Sequence, residues 1–534
     1  MATGEQDTSA VITEDAPEGV QVREGDYGSR VIAVEPGGAE FIPLHERHGR
    51  PLQLFWTWTS PNLEFATVFV GVLAIAAFGL NFTQAVLAIV IGTGVGAITQ
   101  GILSARGPSH GVPQMVLSRL GFGYWGNALP AGLNSITAGI GWFAVNSVSG
   151  TFALNTLLHW PKPLCLVIIV AAQIAIAFFG YNLVHAFERY AFPVLAVIFA
   201  IATIVILTKS HPGAPSHGGG SGGFLLATGA AFGYAVGWNP YAADYSRYFK
   251  PDTSRKAIAL WSGLGLFLSC VILEVAGAGS ATAASVGASL NDPTGTFTGH
   301  LPTVLADLTL LAIALGAVAA NVLNIYSGAL SFVAMGIKLP LALRRAITAL
   351  VFGVIGFIVA LTALPDAGSK YTQFLLIIAY WIAPWLAVVF CDQFLRRNEP
   401  LGEIERMLFD KKHTNWAGPV AMLVGMGVSI GFFANQYPRY VAPVPTHWPA
   451  VGDIERMLFD KKHTNWAGPV AMLVGMGLSI WLFSNQTEYV GVVPSHVPAV
   501  GDLTFEVGFV VTAVIYLTWH AITDRRQAPA GAAA

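Results

Sequence analysis

FWTWTSPNLEF, from Phe55 to Phe65, interrupts an apolar stretch with a proline and several polar residues, and FGYAVGWNPYAADYSRY, from Phe232 to Tyr248, does the same. They fall in the first and the sixth of a series of long apolar runs. A break in a bilayer-spanning helix frees backbone N–H and C=O groups that hydrocarbon cannot satisfy, so it persists only around a polar, solvent-reachable cavity. Breaks at equivalent places in two halves of a chain mark a binding site near the bilayer midplane. These stretches predict an all-α polytopic membrane protein whose site lies where the two meet.

Composition agrees. Charged residues make up 11% of the 534 and apolar ones 54%, against about 25% and 45–50% in soluble domains, and mean hydropathy is +0.59. The net charge of -2 excludes the basic face of a nucleic-acid binder. Cys165, Cys270 and Cys391 lack metal-ligand or disulfide-framework spacing and read as small packing residues. Residues 1–50, with Glu5, Asp7, Glu14, Asp15, Glu18, Glu24 and Asp26 and no signal-peptide core, read as a disordered cytosolic tail. Residues 524–534 read as a second short tail.

Runs long enough to cross a bilayer, about 20 residues each, lie near 62–80, 84–105, 126–156, 162–182, 190–208, 223–245, 258–285, 303–334, 342–362 and 370–391. The alternate loops on one side hold Arg106, Arg119, Arg189, Arg247, Lys250, Arg255, Lys256, Lys338, Arg344, Arg345, Arg396 and Arg397. Those on the other hold only Lys162, Lys209 and Lys370. This asymmetry places the N-terminus and the basic loops in the cytosol. The chain thus divides into a ten-helix core over 51–397 and C-terminal helices over 398–523.

The C-terminal part repeats itself. IERMLFDKKHTNWAGPVAMLVGMG occurs at Ile404 to Gly427 and again at Ile454 to Gly477, and similarity extends over 403–436 and 453–486. Two near-identical copies are a tandem duplication of one helix and its loop rather than a solenoid. One copy gives twelve spans with both termini cytosolic. A thirteenth crossing puts either Arg456, Lys461 and Lys462 or the Arg525-Arg526 pair on the outer face, against the positive-inside rule. One copy is therefore expected to lie at the interface or pack peripherally, or else to force the C-terminus outside.

Within the core, Trp142 and Asn146 are four residues apart and share a helical face. An indole that stacks and an amide that both donates and accepts suit a planar heteroaromatic solute; an interfacial belt residue and helix-helix glue are the plainer alternative. Gly237 and Trp238 precede Asn239-Pro240, so Trp238 can be held at the second break, opposite Trp142, or can be a packing residue at a kink. Around Pro61, Ser60 and its polar neighbours line the first break. Glu64 is a candidate proton relay or an interfacial charge. Asn321 and Asn324 are ligands, or they satisfy each other and nearby carbonyls. Asp244 and Arg247, at the cytosolic end of the sixth run, read as a structural or gating pair. Between Leu310 and Tyr326 the eighth run has no Ser or Thr to hold a sodium ion, which favours protons as the coupling ion. No catalytic or nucleotide-binding arrangement is present, so an enzyme or a hydrolysis-driven pump is not expected.

RHGRPLQLFWTWTSPN, GPSHGVPQMVLSRLGFGYWGN, GWFAVNS, GYNLVHAFERYAFPVL, GWNPYAADYSRY, NIYSGALSF and AYWIAPWLAVVFCDQF together resemble the purine-cytosine permease branch of the first nucleobase-cation symporter family. The resemblance covers about residues 45 to 521. It implies a LeuT-type 5+5 inverted repeat plus C-terminal helices. It also implies stacking tryptophans at Trp142 and Trp238, a third-helix amide at Asn146, a first-helix polar residue at Ser60, and an eighth-helix asparagine at Asn324 with Asn321 as the other register. The expectation is a secondary transporter in the cytoplasmic membrane that imports cytosine or purines with protons, without a cofactor or a bound metal. The rivals are a transporter of a related heterocycle such as a hydantoin, allantoin or a vitamin precursor, driven by sodium or protons, and a non-transporting substrate sensor.

Overall fold

The computed structural model describes residues 38, 40–177, 181–283, 290, 293–337, 341–434 and 492–527, and these form helices and no sheet. The first half of the core contains α1 (Gln53–Thr59), α2 (Phe65–Ala76), α3 (Phe82–Ser104), α4 (Ala128–Leu158), α5 (Lys162–Ala177) and α6 (Tyr181–Lys209). The second contains α7 (Gly220–Val236), α8 (Ala242–Ser246), α9 (Arg255–Ala283), α10 (Thr303–Ala334), α11 (Leu341–Ala363) and α12 (Ala367–Leu395). Beyond it lie α13 (Leu401–Phe409), α14 (Ala417–Phe433) and α15 (Thr504–Gln527). Among the described residues seven helical stretches are long and apolar enough to cross a membrane, eight when the bent α1–α2 pair counts as one.

Both breaks form as their residues dictate. Pro61 lacks an N–H, and the chain passes from α1 through a 3₁₀ turn at Ser60–Asn62 to an extended Glu64 (φ -151, ψ 174) before α2 restarts. The two halves are bent by 60°. The apolar run from residue 62 thus marks only the second half of this span, whose first half mixes Phe55, Trp56 and Trp58 with polar residues. At the second break α7 ends at Val236, and a 3₁₀ turn at Asn239–Tyr241 carrying Pro240 leads into α8.

The helices pack in two groups. α3 lies along α7 and α9, and α9 along α1 and α2; α10 lies along α4, with α5 against both and α11 against α4. Each group draws spans from the first half of the core and their counterparts five places later, which is how a five-helix repeat packs on itself. Within the first group the backbones of α2 and α9 touch: a Cβ on Gly71 would lie against the Glu274 carbonyl, and one on Gly277 against that of Val68. Small residues at such a crossing let membrane helices approach closely. α12 packs on α7 and on α15, which in turn lies along α14. One turn of α4, Thr137–Trp142, is π-helical and ends at Trp142.

Residues 40–50, which the sequence reading assigns to a disordered tail, are built into the protein. Phe41 and Ile42 are buried, Ile42 N–H donates to the Gly111 carbonyl at 3.0 Å, and Arg47 donates to the carbonyls of Ile42 and Pro108 at 2.9 and 2.6 Å. Two apolar residues suffice here because the main chain and a guanidinium supply the remaining contacts. Residues 1–37, like the second copy of the duplicated segment, lie outside the described residues. The first copy forms α13 and α14, and Arg119 donates to the Leu408 carbonyl at 2.9 Å.

Candidate functional site

The two breaks meet. Trp238 Nε1 donates to Asn62 Oδ1 at 2.9 Å, while Asn62 Nδ2 donates to the Trp58 carbonyl at 2.6 Å. Thr67 Oγ1 lies 2.5 Å from the Asn62 carbonyl and 2.5 Å from the Tyr234 hydroxyl. The Trp58 and Asn62 carbonyls at the first break are thereby met by side chains of their own segment, and those same side chains bond to Trp238 and Tyr234 of the second.

Both indoles are buried, each 4% exposed, so neither faces lipid. Trp142 meets Tyr234 and Phe374 edge to face, with centroids 5.3 and 5.0 Å apart. Trp238 meets Trp58 and Tyr241 in the same way at 6.0 and 5.7 Å. Gly237 stands between the two sets. A Cβ there would sit 2.9 Å from Trp142 Cζ2 and 3.0 Å from its Nε1, so only glycine lets the α7–α8 joint rest against the indole edge.

One helical turn beyond Trp142 is a cluster of three amides whose orientation is set by one carbonyl. Asn321 Nδ2 donates to the Phe143 carbonyl at 2.8 Å, which can only accept, so Asn321 Oδ1 must face the other way. There it accepts from Asn146 Nδ2 at 3.0 Å and from Asn324 Nδ2 at 3.3 Å. Asn146 Oδ1 and Asn324 Oδ1 are left buried without a protein partner. A buried acceptor in that condition costs about 1–3 kcal/mol, a penalty that an N–H of a bound solute would relieve. Asn321 is satisfied at both ends and orients the other two, so of the two registers Asn324 is the one that presents a free atom.

Ser60 Oγ is also buried and unpartnered, at the first break. Glu64 lies under α10, where a Cβ on Gly316 would fall 2.8 Å from its own Cβ; its carboxylate is 3.5 Å from the Ser149 and Tyr234 hydroxyls. Asp244 and Arg247 sit at the end where the basic loops gather. Asp244 Oδ1 accepts the Gln114 N–H at 2.9 Å, and Arg247 donates to the Gly38 carbonyl at 2.9 Å and the Tyr326 hydroxyl at 3.2 Å, fastening α8 to α10 and to the N-terminal segment. Tyr245 packs between Trp58 and Tyr326 in the same plug. Toward the opposite face a largely apolar cavity of about 110 Å³ is lined by Phe65, Phe69, Ser149, Phe152, Tyr371 and Phe374, with Lys370 beside it. Phe374 borders both this cavity and Trp142.

Tyr234, Thr67, Ser149 and Phe374 are not marked as site residues by the sequence reading. Tyr234 could have been found, since it precedes Trp238 by one helical turn; nothing in YTQFLLIIAY marks Phe374. Among the described residues no group of His, Cys, Asp and Glu could hold a metal ion.

A bundle of paired helices with two broken spans meeting at buried aromatic and amide groups defines a membrane transporter rather than an enzyme. Residues 41–447 match the family described as permeases for cytosine/purines, uracil, thiamine and allantoin, and the chain belongs to it. It is 27% identical to the putative purine-cytosine permease YxlA of Bacillus subtilis over 77% of this chain and 91% of that one, and 28% identical to the purine-cytosine permease fcyB of Emericella nidulans over 78% and 84%. The vitamin B6 transporter TPN1 of Saccharomyces cerevisiae is 25% identical over 69% and 66%. In fold the chain is similar to Mhp1, a nucleobase-cation-symport-1 family transporter solved in a closed conformation with bromovinylhydantoin bound: TM-score 0.63 and 17% identity over 92% of this chain and 96% of that one. The inward-facing conformation of Mhp1 gives 0.60.

Proposed function

We propose that this permease imports a nucleobase, cytosine or a purine, across the cytoplasmic membrane by proton symport, with its N-terminus in the cytosol. The observation that carries the substrate reading is the pair of unpartnered amide oxygens, Asn146 Oδ1 and Asn324 Oδ1, in the cluster one helical turn beyond the buried Trp142, whose ring neighbour Tyr234 shares α7 with the segment leading to the buried Trp238. A flat ring stacks on indole for about 1–3 kcal/mol, and the ring N–H and exocyclic amine of a nucleobase supply the donors that the two oxygens lack. Relatives named as purine-cytosine permeases support the same class.

Alternating access then rocks the group containing α1, α2, α7 and α8 against the group containing α4 and α10. On the cavity side Phe374 is the thin barrier over Trp142; on the other, the Arg247–Tyr326 fastening must open. Glu64 is the proton carrier in this reading. It adjoins Ser149, which lines the cavity, and among the described residues the side chains that its carboxyl group meets are two neutral hydroxyls. A buried carboxylate without a cation costs several kcal/mol, and a proton taken up as the cavity closes removes that cost.

The test is uptake of labelled cytosine, adenine, hypoxanthine and uracil into cells lacking their own permeases, with and without a protonophore. Saturable uptake of one or more of them, lost when the proton gradient collapses, supports the proposal. Uptake that needs sodium and ignores the protonophore overturns the coupling. A second substrate reading, a related heterocycle, is favoured by the vitamin B6 transporter among the relatives. Competition by pyridoxine or a hydantoin, with no nucleobase uptake, would select it.

A further inference from the structure

We propose that Tyr234 and Thr67 form a one-way hydrogen-bond relay that reports the protonation of Glu64 to both indole walls of the substrate site. The inference rests on the proton-symport reading above and adds to it the groups that link ion to substrate.

Counting protons gives the relay its direction. The Asn62 carbonyl can only accept, and Thr67 Oγ1 at 2.5 Å is its side-chain donor, so the single Thr67 proton is committed there. Thr67 must then accept from the Tyr234 hydroxyl, also at 2.5 Å, which commits the Tyr234 proton in turn. The Tyr234 oxygen consequently presents lone pairs to Glu64 Oε1, 3.5 Å away. A carboxylic acid donates into them and completes an unbroken run from Glu64 through Tyr234 and Thr67 to the Asn62 carbonyl. A carboxylate instead meets lone pairs with negative charge. On the Tyr234 side it is matched only if the Tyr234 hydroxyl turns toward it, which takes the Tyr234 proton away from Thr67.

Each end of the run touches the substrate site. The Tyr234 ring lies edge to face with Trp142 at 5.3 Å, and the Asn62 side chain holds Trp238 Nε1 at 2.9 Å. Turning the Tyr234 hydroxyl therefore disturbs one wall directly and the other through Thr67 and Asn62. No proton moves along the run: the Glu64–Tyr234 bond reverses, and the Tyr234–Thr67 bond is kept only if the Thr67 hydroxyl turns as well, off the Asn62 carbonyl. The groups facing Glu64 are Tyr234 from α7, Ser149 from α4, the backbone at Gly316 from α10 and the N–H groups of Phe65 and Ala66 from α2. Tyr371 of α12 and Cys270 of α9 also lie near it. Glu274 of α9 accepts from Thr93 of α3 at 2.8 Å.

The experiment is equilibrium binding of labelled cytosine, or adenine where that is the transported base, to purified protein in nanodiscs from pH 5.5 to 8.5. In the unaltered protein affinity should fall by about tenfold across that range, within the usual span of such couplings. Thr67→Val and Tyr234→Phe should reduce the change to about twofold or less, and Thr67→Ser, which keeps the hydroxyl, should restore it. A Tyr234→Phe or Thr67→Val protein with the full pH dependence overturns the relay while leaving Glu64 as the proton carrier. A flat profile in the unaltered protein overturns the symport reading itself, and an undiminished one in Glu64→Gln overturns Glu64 as the proton carrier and the relay with it. If Tyr234→Phe does not yield monodisperse protein, the Thr67→Val and Thr67→Ser pair decides.

Discussion

Trp238 donates its indole N–H to the side chain of Asn62 at 2.9 Å, so the break in the sixth span is held to the break in the first by one hydrogen bond. Asn62→Leu removes the acceptor and leaves a buried indole N–H unmatched, at about 1–3 kcal/mol. The apparent affinity for the transported base should drop by about tenfold or more, read as KM of uptake normalised to surface protein.

Asn321 and Asn324 should separate on mutation. Asn324→Ala removes a buried oxygen that has no protein partner and should raise KM with little change in melting temperature. Asn321→Ala strips partners from the Phe143 carbonyl, Asn146 and Asn324 together, and should lower the melting temperature as well. Thermal unfolding in detergent beside uptake kinetics distinguishes the two.

Gly237→Ala places a methyl 2.9 Å from Trp142 Cζ2. The indole or the α7–α8 joint must shift, so uptake should be severely reduced in protein that reaches the membrane in normal amount. Surface labelling with transport measured on the same cells checks this.

Outside the spans, burial pushes the Glu405 carboxyl up to about 7, with Arg47 pulling the other way. A carboxyl that binds its proton more tightly in the folded state stabilises that state fully below its ordinary value near 4.5, and this contribution is lost as pH rises through about 7. Amide exchange in α13 should therefore quicken, beyond the intrinsic pH effect, between pH 5 and 8, and Glu405→Gln should abolish that excess.

Residues 404–427 and 454–477 are identical, so deletion of 403–452 leaves one copy able to make the contacts that α13 and α14 make now, including the Arg119 bond to the Leu408 carbonyl. Uptake by the shortened protein should equal that of the full chain. Lost transport with normal expression would mean that the two copies do different work.

Much of the fold and site was legible because the signals were covalent or periodic. Pro61 and Pro240 announce their breaks by lacking an N–H, and the four-residue spacing of Trp142 and Asn146 puts them on one face. Contacts that depend on the register between helices were not legible. Whether Asn321 or Asn324 presents a free oxygen is decided by where the Phe143 carbonyl of α4 falls, and that depends on a π-helical turn just before it. Thr67 and Tyr234 look like ordinary apolar-face residues until the bend at Pro61 swings α2 beside α7. The burial of Phe41 and Ile42 escapes the sequence because two apolar residues make no periodicity.

The π-helical turn at Thr137–Trp142 gives the third span one residue of slack immediately ahead of its indole. Relaxing that turn to ordinary α geometry would rotate the C-terminal portion of the span against its N-terminal portion by about 100°. Trp142 closes that turn, so winding it to α geometry would carry the indole together with Asn146 and the rest of Phe143–Leu158 around against α10. The aim of the indole and the register of the amide cluster are therefore tied to one another, because a single backbone segment carries both Trp142 and Asn146.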